Sequence, residues 1–213
     1  MPQLELPNTQ HFPSFRDLPN DNVANFSYYH QSPPGSPILL PTRHWVFLCE
    51  ITRNISLMRP HFLVKDRTGT DTQVVFYIEG ENQAKFASIC SQFVVGNTLA
   101  VFYADSHYFM DGSVGLRVED VSTVKVIPCS LERLLSTNAN DVNIRRACSS
   151  CGTQRRDTDI PLRGCSRCKT KYCNQECQRV DWPRHKHDCV ALQQVQAWEE
   201  RDWRRFENYW DAF

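Results

Sequence analysis

The sequence predicts an α+β chain of several domains: a small five-stranded β-barrel with one helix, then a compact cysteine-rich segment, then a C-terminal helix. Three observations carry this. Residues 43–128 hold short runs rich in aromatic and β-branched residues, bounded by turn residues, with one helical pattern among them. Seven of the ten cysteines lie between Cys148 and Cys189. Trp203, Phe206, Trp210 and Phe213 recur at helical spacing within residues 190–213, which predicts an amphipathic aromatic helix there. The 213 residues are 41% hydrophobic and 23% charged, an ordinary globular composition. Twenty-four basic residues balance 24 acidic ones, which argues against nucleic-acid binding by bulk charge. No apolar run approaches the roughly 20 residues that a membrane span needs, so no membrane partner is expected. The first thirty residues hold no apolar signal-peptide core. An intracellular, reducing setting is therefore expected, where cysteines serve more often as metal ligands than as disulfides.

Residues 1–41 hold eight of the twelve prolines, including the run Ser32-Pro33-Pro34-Gly35-Ser36-Pro37. Proline removes backbone donors and resists helix and strand, so a flexible, polyproline-like arm is predicted, with a docking segment or a strap over the next domain as the alternative. The barrel domain is expected over residues 42–136. Trp45 to Ile51, His61 to Val64 and Thr72 to Ile78 read as strands, the second and third separated by the turn Asp66-Arg67-Thr68-Gly69. Phe86, Ile89, Cys90 and Phe93 fall at helical spacing, predicting a helix from Asn82 to Phe93 with one buried face, ended by Gly96. Thr98 to Tyr103, with an extension toward Phe109, and Gly115 to Ile127 supply the remaining strands, with Asp111-Gly112 as the hairpin turn between them. Three strands, a helix and two strands resemble an OB-fold in order and in the D-R-T-G turn. Ser130 to Ser136 reads as a short helix and residues 137–147 as a polar hinge. Cys49, Cys90 and Cys129 sit in or beside apolar runs and read as small buried hydrophobes.

The remaining cysteines form a constellation. Cys148-x2-Cys151, Cys165-x2-Cys168, Cys173-x3-Cys177 and His185-x3-Cys189 give eight soft or borderline ligands, the number that fills two closed tetrahedral zinc sites. A C-x2-C turn points two sulfurs at one ion, and ligands four residues apart share one helix face. The same rule selects His185 over His187, which stands two residues before Cys189 and reads as a solvated side chain. Eight ligands leave no open position for water, so the zinc is expected to be structural rather than catalytic. Spacing alone leaves sequential and interleaved pairings open.

The run from Tyr172 to Cys189 resembles the second half of a MYND zinc finger, YC-x3-CQ-x2-DW-x2-HK-x2-C, behind two C-x2-C knuckles, and every fixed position is present over residues 148–189. The resemblance implies interleaved sites, with Cys148, Cys151, Cys173 and Cys177 on one zinc and Cys165, Cys168, His185 and Cys189 on the other. It also implies an adaptor that binds short proline-containing peptides of the PxLxP kind, often among transcriptional or signalling proteins, with the nucleus as the expected location. Gln178 and Trp182, one turn apart, are the candidate peptide-binding residues; Arg179, Arg184 and Lys186 lie beside them. Asp181 is placed to cap the helix that carries His185, with Pro183 in its first turn. Residues 1–140 carry a formal −3 and residues 141–213 a formal +3, so overall neutrality hides a basic finger region.

Single-stranded nucleic acid is the alternative partner, through stacking on Phe76, Tyr77, Phe102, Tyr103, Tyr108 and Phe109. Strand alternation sends about half of these aromatics to the core, and the acidic balance of residues 1–140 opposes such binding. Some MYND fingers accompany SET-domain methyltransferases, whose catalytic domain needs far more chain than this. No Gly-rich phosphate loop, G-x-S-x-G elbow or H-E-x-x-H motif is present, and no catalysis is expected.

Overall fold

The computed structural model describes residues 6–139, 147–154, 161–199 and 201–212, so most of the hinge expected at 137–147 lies outside the described residues. The chain divides into two compact units: residues 7–131 with 202–213, and residues 132–201 with the first six. No described helix is long and apolar enough to cross a membrane.

The first unit is built on strands. A hairpin of β1 (Tyr29–Gln31) and β2 (Leu39–Pro41) precedes β3 (Val46–Asn54), β4 (His61–Asp66) and β5 (Asp71–Phe76). Helix α1 (Glu81–Ile89) and a 3-10 turn at Cys90–Gln92 then lead into β6 (Thr98–Phe102), β7 (Ser106–Tyr108), β8 (Val114–Val118) and β9 (Val124–Ile127). Seven of these strands form one sheet in the order β7-β8-β5-β4-β3-β6-β9, antiparallel except for the parallel pair β5–β8. Five strands were expected, and both extra strands arise where an expected strand bends. Tyr103 takes a left-handed φ of 53°, separating β6 from β7, while its N–H donates to the Trp45 carbonyl. Asp120 accepts from the Ser122 N–H and caps a 3-10 turn at Val121–Thr123, splitting the run 115–127. Its first half (β8) bonds to β5 and its second (β9) to β6, so one run of chain reaches both flanks of the central strands.

Alternation follows burial. In β4, Phe62, Val64 and Asp66 face inward, whereas the first half of β3 is buried on both faces. Trp45, Phe47, Cys49, Ile51, Phe62, Val74, Phe76, Leu99 and Leu116 form the centre of the core. Ile89, Phe86 and Phe93 pack on it from the helical segment, Phe93 stacked on Phe62 at 5.1 Å. Cys90 departs from its predicted place on that face: the helix tightens to 3-10 there and the side chain is exposed. Cys129 is half-buried, and only Cys49 of the three is fully buried.

Two expected segments take other forms. Residues 7–41 are no flexible arm but a strap pinned to the sheet. Phe12, Leu18 and Tyr28 are buried, and Tyr28 packs edge-on against Trp45 at 4.9 Å. The Phe15 N–H donates to Asp66 at 2.8 Å, Arg67 donates to the Phe12 carbonyl, and the Tyr29 hydroxyl donates to Asp105 at 2.9 Å. A proline-rich segment that cannot complete a ladder is held in this way by apolar anchors and single bonds. Asp66 is the hub of the D-R-T-G turn. Burial pushes its pKa up, but the N–H groups of Phe15, Thr70 and Thr68 and the Thr68 hydroxyl outweigh this and hold it below the ordinary value.

The C-terminal helix expected over 190–213 is confined to the last turns of a longer helix that ends at Glu199. Residues 201–212 are not helical, because the first unit takes up their backbone groups instead. The Trp203 and Arg205 carbonyls accept from the His44 N–H and from His44 Nε2, the Trp210 N–H donates to the Tyr103 hydroxyl, and the Ala212 N–H donates to the Ser122 carbonyl. Their aromatic rings pack on the unit as the spacing expected of a buried stripe, without the helix: Trp210 lies flat on His44 at 3.4 Å and Trp203 tilts on Phe12 at 4.9 Å.

The second unit holds α2 (Leu131–Ala139, all but its first residue), the short hairpin β10 (Arg163–Gly164) and β11 (Lys171–Tyr172), and α3 (Gln175–Glu199).

Candidate metal centre

Two turns of one design present the first four cysteines. In Cys148-x2-Cys151, Gly152 takes φ 72° and its N–H donates to the Cys148 carbonyl at 2.8 Å. In Cys165-x2-Cys168, Lys169 takes φ 59° and its N–H donates to the Cys165 carbonyl at 2.9 Å. Glycine adopts this backbone freely, whereas a lysine pays roughly 1–2 kcal/mol for it. The second turn closes the β10–β11 hairpin, and Ser149 N–H donates to the Lys171 carbonyl, locking the first knuckle to that hairpin. Cys173 leaves β11 toward the first knuckle, with its N–H donating to Cys148 Sγ at 3.4 Å. Cys177 lies in the first turn of α3, His185 and Cys189 two and three turns further on.

The result is two sets of four: Cys148, Cys151, Cys173 and Cys177, and Cys165, Cys168, His185 and Cys189, each with its ligand atoms within 4.8 Å of one another. The interleaved arrangement is therefore the one the chain adopts. Zinc bonded to sulfur at about 2.3 Å and to nitrogen at about 2.0 Å in a tetrahedron spaces its ligand atoms about 3.5–3.8 Å apart. Cys151 and Cys173 stand 3.7 Å apart, Cys165 and Cys189 3.8 Å, and Cys168 Sγ and His185 Nε2 3.4 Å. The donor sets fit two zinc ions.

Electrostatics favours a dication at both sets. The hydroxyl and N–H of Thr153 lower Cys151 to about 6. Burial opposes ionisation of Cys165, but the N–H groups of Cys168 and Arg167 and contact with His185 bring it to about 6. Burial and neighbouring thiolates instead push Cys177 and Cys189 up to about 12. The thiols of each set titrate together, and a dication favours the loss of the protons from all of them. His185, drawn up to about 9 by Cys168, must give up that proton to ligate.

Between the sets lies a polar network that sequence spacing did not reveal. Tyr172, 1% exposed, donates its hydroxyl to Asp181 at 2.8 Å, and its ring lies edge-on to His185 at 5.8 Å. Arg184 Nε donates to the other oxygen of the buried Asp181 at 2.8 Å, and Arg184 also reaches the Ser149 carbonyl at 3.3 Å. Asp181 is consequently no helix cap: α3 runs unbroken through it and through Pro183, and its carboxylate faces inward. Asp188, also buried, receives a two-pronged bond from Arg133, which ties α2 to α3.

Gln178 and Trp182 lie one turn apart on α3. Trp182 is 42% exposed, its ring 5.9 Å from that of His185, and Gln178 is half-buried. Arg179 pairs with Glu176 and Arg184 with Asp181, while Lys186 is exposed. The side chain of His187 lies outside the described residues. In the first unit, Phe76 and Phe102 are buried and Tyr103 is covered by Phe206 and Tyr209. Tyr77 is half-buried, with Arg59 at 3.9 Å and Arg117 at 4.5 Å over its ring; Tyr108 is exposed and Phe109 half-buried.

The family model of the MYND finger matches residues 148–189. Over 55 residues the chain is 40% identical to SET domain and MYND-type zinc finger protein 6 of Schizosaccharomyces pombe, covering 25% of this chain and 11% of that protein. Over 46 residues it is 46% identical to N-lysine methyltransferase SMYD2-A of Danio rerio, covering 21% of this chain and 10% of that protein. The chain thus spans about a tenth of the length of the curated relatives it matches, and what they share is the finger segment. Among solved structures, a chain of the S. pombe Stn1-Ten1 complex aligns at a TM-score of 0.31 and 16% identity, covering 47% of this chain and 79% of that one, a likeness too slight to argue from. Residues 148–189 are a MYND finger, a zinc-dependent protein-interaction module.

Proposed function

We propose that the protein is an adaptor without catalysis of its own, whose finger docks short proline-containing peptides of the PxLxP kind across Gln178 and Trp182. The observation that carries this reading is the placement of Trp182. A tryptophan is among the largest apolar side chains, yet this one leaves 42% of its surface to solvent on a helix that supplies ligands to both metal sites. A rigid, exposed aromatic face next to an amide suits a proline ring and a peptide carbonyl, and an already extended peptide loses little entropy on docking. The exposed Lys186 favours acidic flanks on the partner, whereas Arg184 is occupied by Asp181. The setting that goes with this reading is transcriptional regulation in the nucleus. Titration of a PxLxP peptide into the zinc-loaded protein, followed by amide shifts, tests it. Trp182→Ala should weaken binding by ~1–3 kcal/mol at unchanged zinc content. Shifts that cluster elsewhere, or equal binding by the variant, would sink the reading.

We also read the first unit as OB-like. The parallel β5–β8 pair, the helix between β5 and β6, and a chain that bonds to both flanks of the sheet support that. One observation favours single-stranded nucleic acid as a second ligand: the Tyr77 ring with two guanidinium groups over it, Arg59 at 3.9 Å and Arg117 at 4.5 Å, in a cleft of about 840 Å³. Glu79 and Glu119 line the same cleft, and Glu119 pairs with Arg117, which holds such binding weak.

A further inference from the structure

This chain carries a segment of the kind its own finger would take. Pro37-Ile38-Leu39-Leu40-Pro41 has proline, leucine and proline at its first, third and fifth positions, and the sequence holds that pattern once. In an extended chain, residues two apart share a face, so Pro37, Leu39 and Pro41 form one apolar edge, as a peptide laid over an aromatic side chain requires.

The segment is already extended in the structure. Leu39–Pro41 is β2, joined to β1 through three residue pairs in a two-stranded sheet. Pro37 is exposed and Ile38 is 57% exposed at the hairpin tip, Leu39 and Leu40 are half-buried, and Pro41 is buried. Pro37 and Ile38 can meet a partner as they stand, whereas reaching Pro41 asks β2 to give up its pairs to β1 and uncover that proline. Residues 32–42 carry no charge, and nothing in them is repelled by the basic finger.

We infer that the finger of one copy binds residues 37–41 of a second copy, with Pro37 and Leu39 meeting Trp182 first and Pro41 following as β2 lifts. This rests on Gln178 and Trp182 being the peptide site. A second copy is the chosen occupant because Pro37 and Ile38 are exposed at the hairpin tip while Tyr28 and Trp45 anchor the base, so a neighbour's finger reaches the tip with the unit folded. Each copy offers one segment and one finger, making the contact head-to-tail. The chain would thereby compete with external peptides for its own finger, and more so as its concentration rises.

Sedimentation of the zinc-loaded full chain over a wide concentration range tests this. Self-association that grows with concentration is expected. It should fall about tenfold or more in Trp182→Ala, and likewise in Leu39→Ala. Pro37→Ala changes an exposed residue and should weaken association with melting and zinc content unchanged, which separates a lost contact from a lost fold. Two labelled peptides complete the experiment, residues 35–43 and a PxLxP peptide with unrelated flanks. If the unrelated peptide binds while residues 35–43 do not, the inference is overturned and the peptide site stands. If neither binds, the peptide site itself falls. A chain that stays monomeric at every concentration overturns the inference too, including the case where Pro37→Ala tightens binding of the unrelated peptide, which would place the segment on its own chain's finger.

Discussion

Cys168 supplies one of four ligands to its set, and among the described residues no fifth donor is grouped with it to make good its loss. Cys168→Ser should lower bound zinc below two equivalents and unfold the finger, since a structural zinc supplies on the order of 10 kcal/mol of folding free energy. Metal analysis with circular dichroism checks this. Asp181 is the residue whose role the spacing concealed. Its position just before Trp182-Pro183 reads as a helix start, and only the fold reveals that Tyr172 and Arg184 converge on it from two directions. Asp181→Asn keeps the shape but removes the charge. It should lower the stability of the finger by roughly 1–3 kcal/mol in chemical denaturation while both zinc ions remain bound. Acid should act on the ligands themselves. Zinc takes Cys151 and Cys165 as thiolates, so the stability that it supplies is complete where they stay ionised and is lost as pH falls into the acid range. Protons compete with zinc over the same range, so release followed with a chromogenic chelator should increase on acidification and be negligible at mildly alkaline pH.

At the scale of elements, what could be read in advance was what rests on local spacing. The eight ligands, the strands at 46–54, 61–66 and 71–76, and the helix opening near residue 82 all follow from residue periodicity and turn chemistry. What stayed hidden depends on contacts far apart in sequence. Prolines announced an irregular segment at 7–41 but not that Asp66 and Trp45 would hold it down. The 3-4-3 spacing of Trp203, Phe206, Trp210 and Phe213 announced burial; Phe213 lies outside the described residues, and the other three meet Phe12, His44 and Tyr103 in a tail without a helix, since His44, Tyr103 and Ser122 take up its backbone bonds. The tail at residues 201–212 should therefore matter as much as a core strand. Trp210→Ala removes the ring stacked on buried His44 and should destabilise the first unit by about 3–5 kcal/mol in a thermal or denaturant melt. A loss below 1 kcal/mol would mean that the tail merely rests on the surface.

For the whole molecule, the division into two units predicts two responses to metal removal. A strong chelator should abolish the ordered finger, with its hairpin and helix held by eight ligands, and leave the sheet unit folded on its own core of aromatic and aliphatic side chains. Two separate transitions in calorimetry, one sensitive to chelator, are expected; a single cooperative loss of both would contradict the division. The sheet unit should bind single-stranded DNA no better than micromolar at physiological salt, because Lys65, Lys85 and Lys125 are its only lysines and residues 1–140 are acidic on balance. A salt-dependent titration with labelled oligonucleotide measures this.

The tail that completes the sheet unit follows the finger in the chain, about seventy residues after Leu131. A ribosome adding 5–20 residues per second needs roughly 4–14 s to cross that interval. Through those seconds the aromatic groove around Phe12, His44 and Tyr103 emerges without the tryptophans that cover it, while the finger is made and can take up its metal. Nascent chains stalled before residue 202 should therefore be held by chaperones that grip apolar surface, whether or not the finger has taken up its metal.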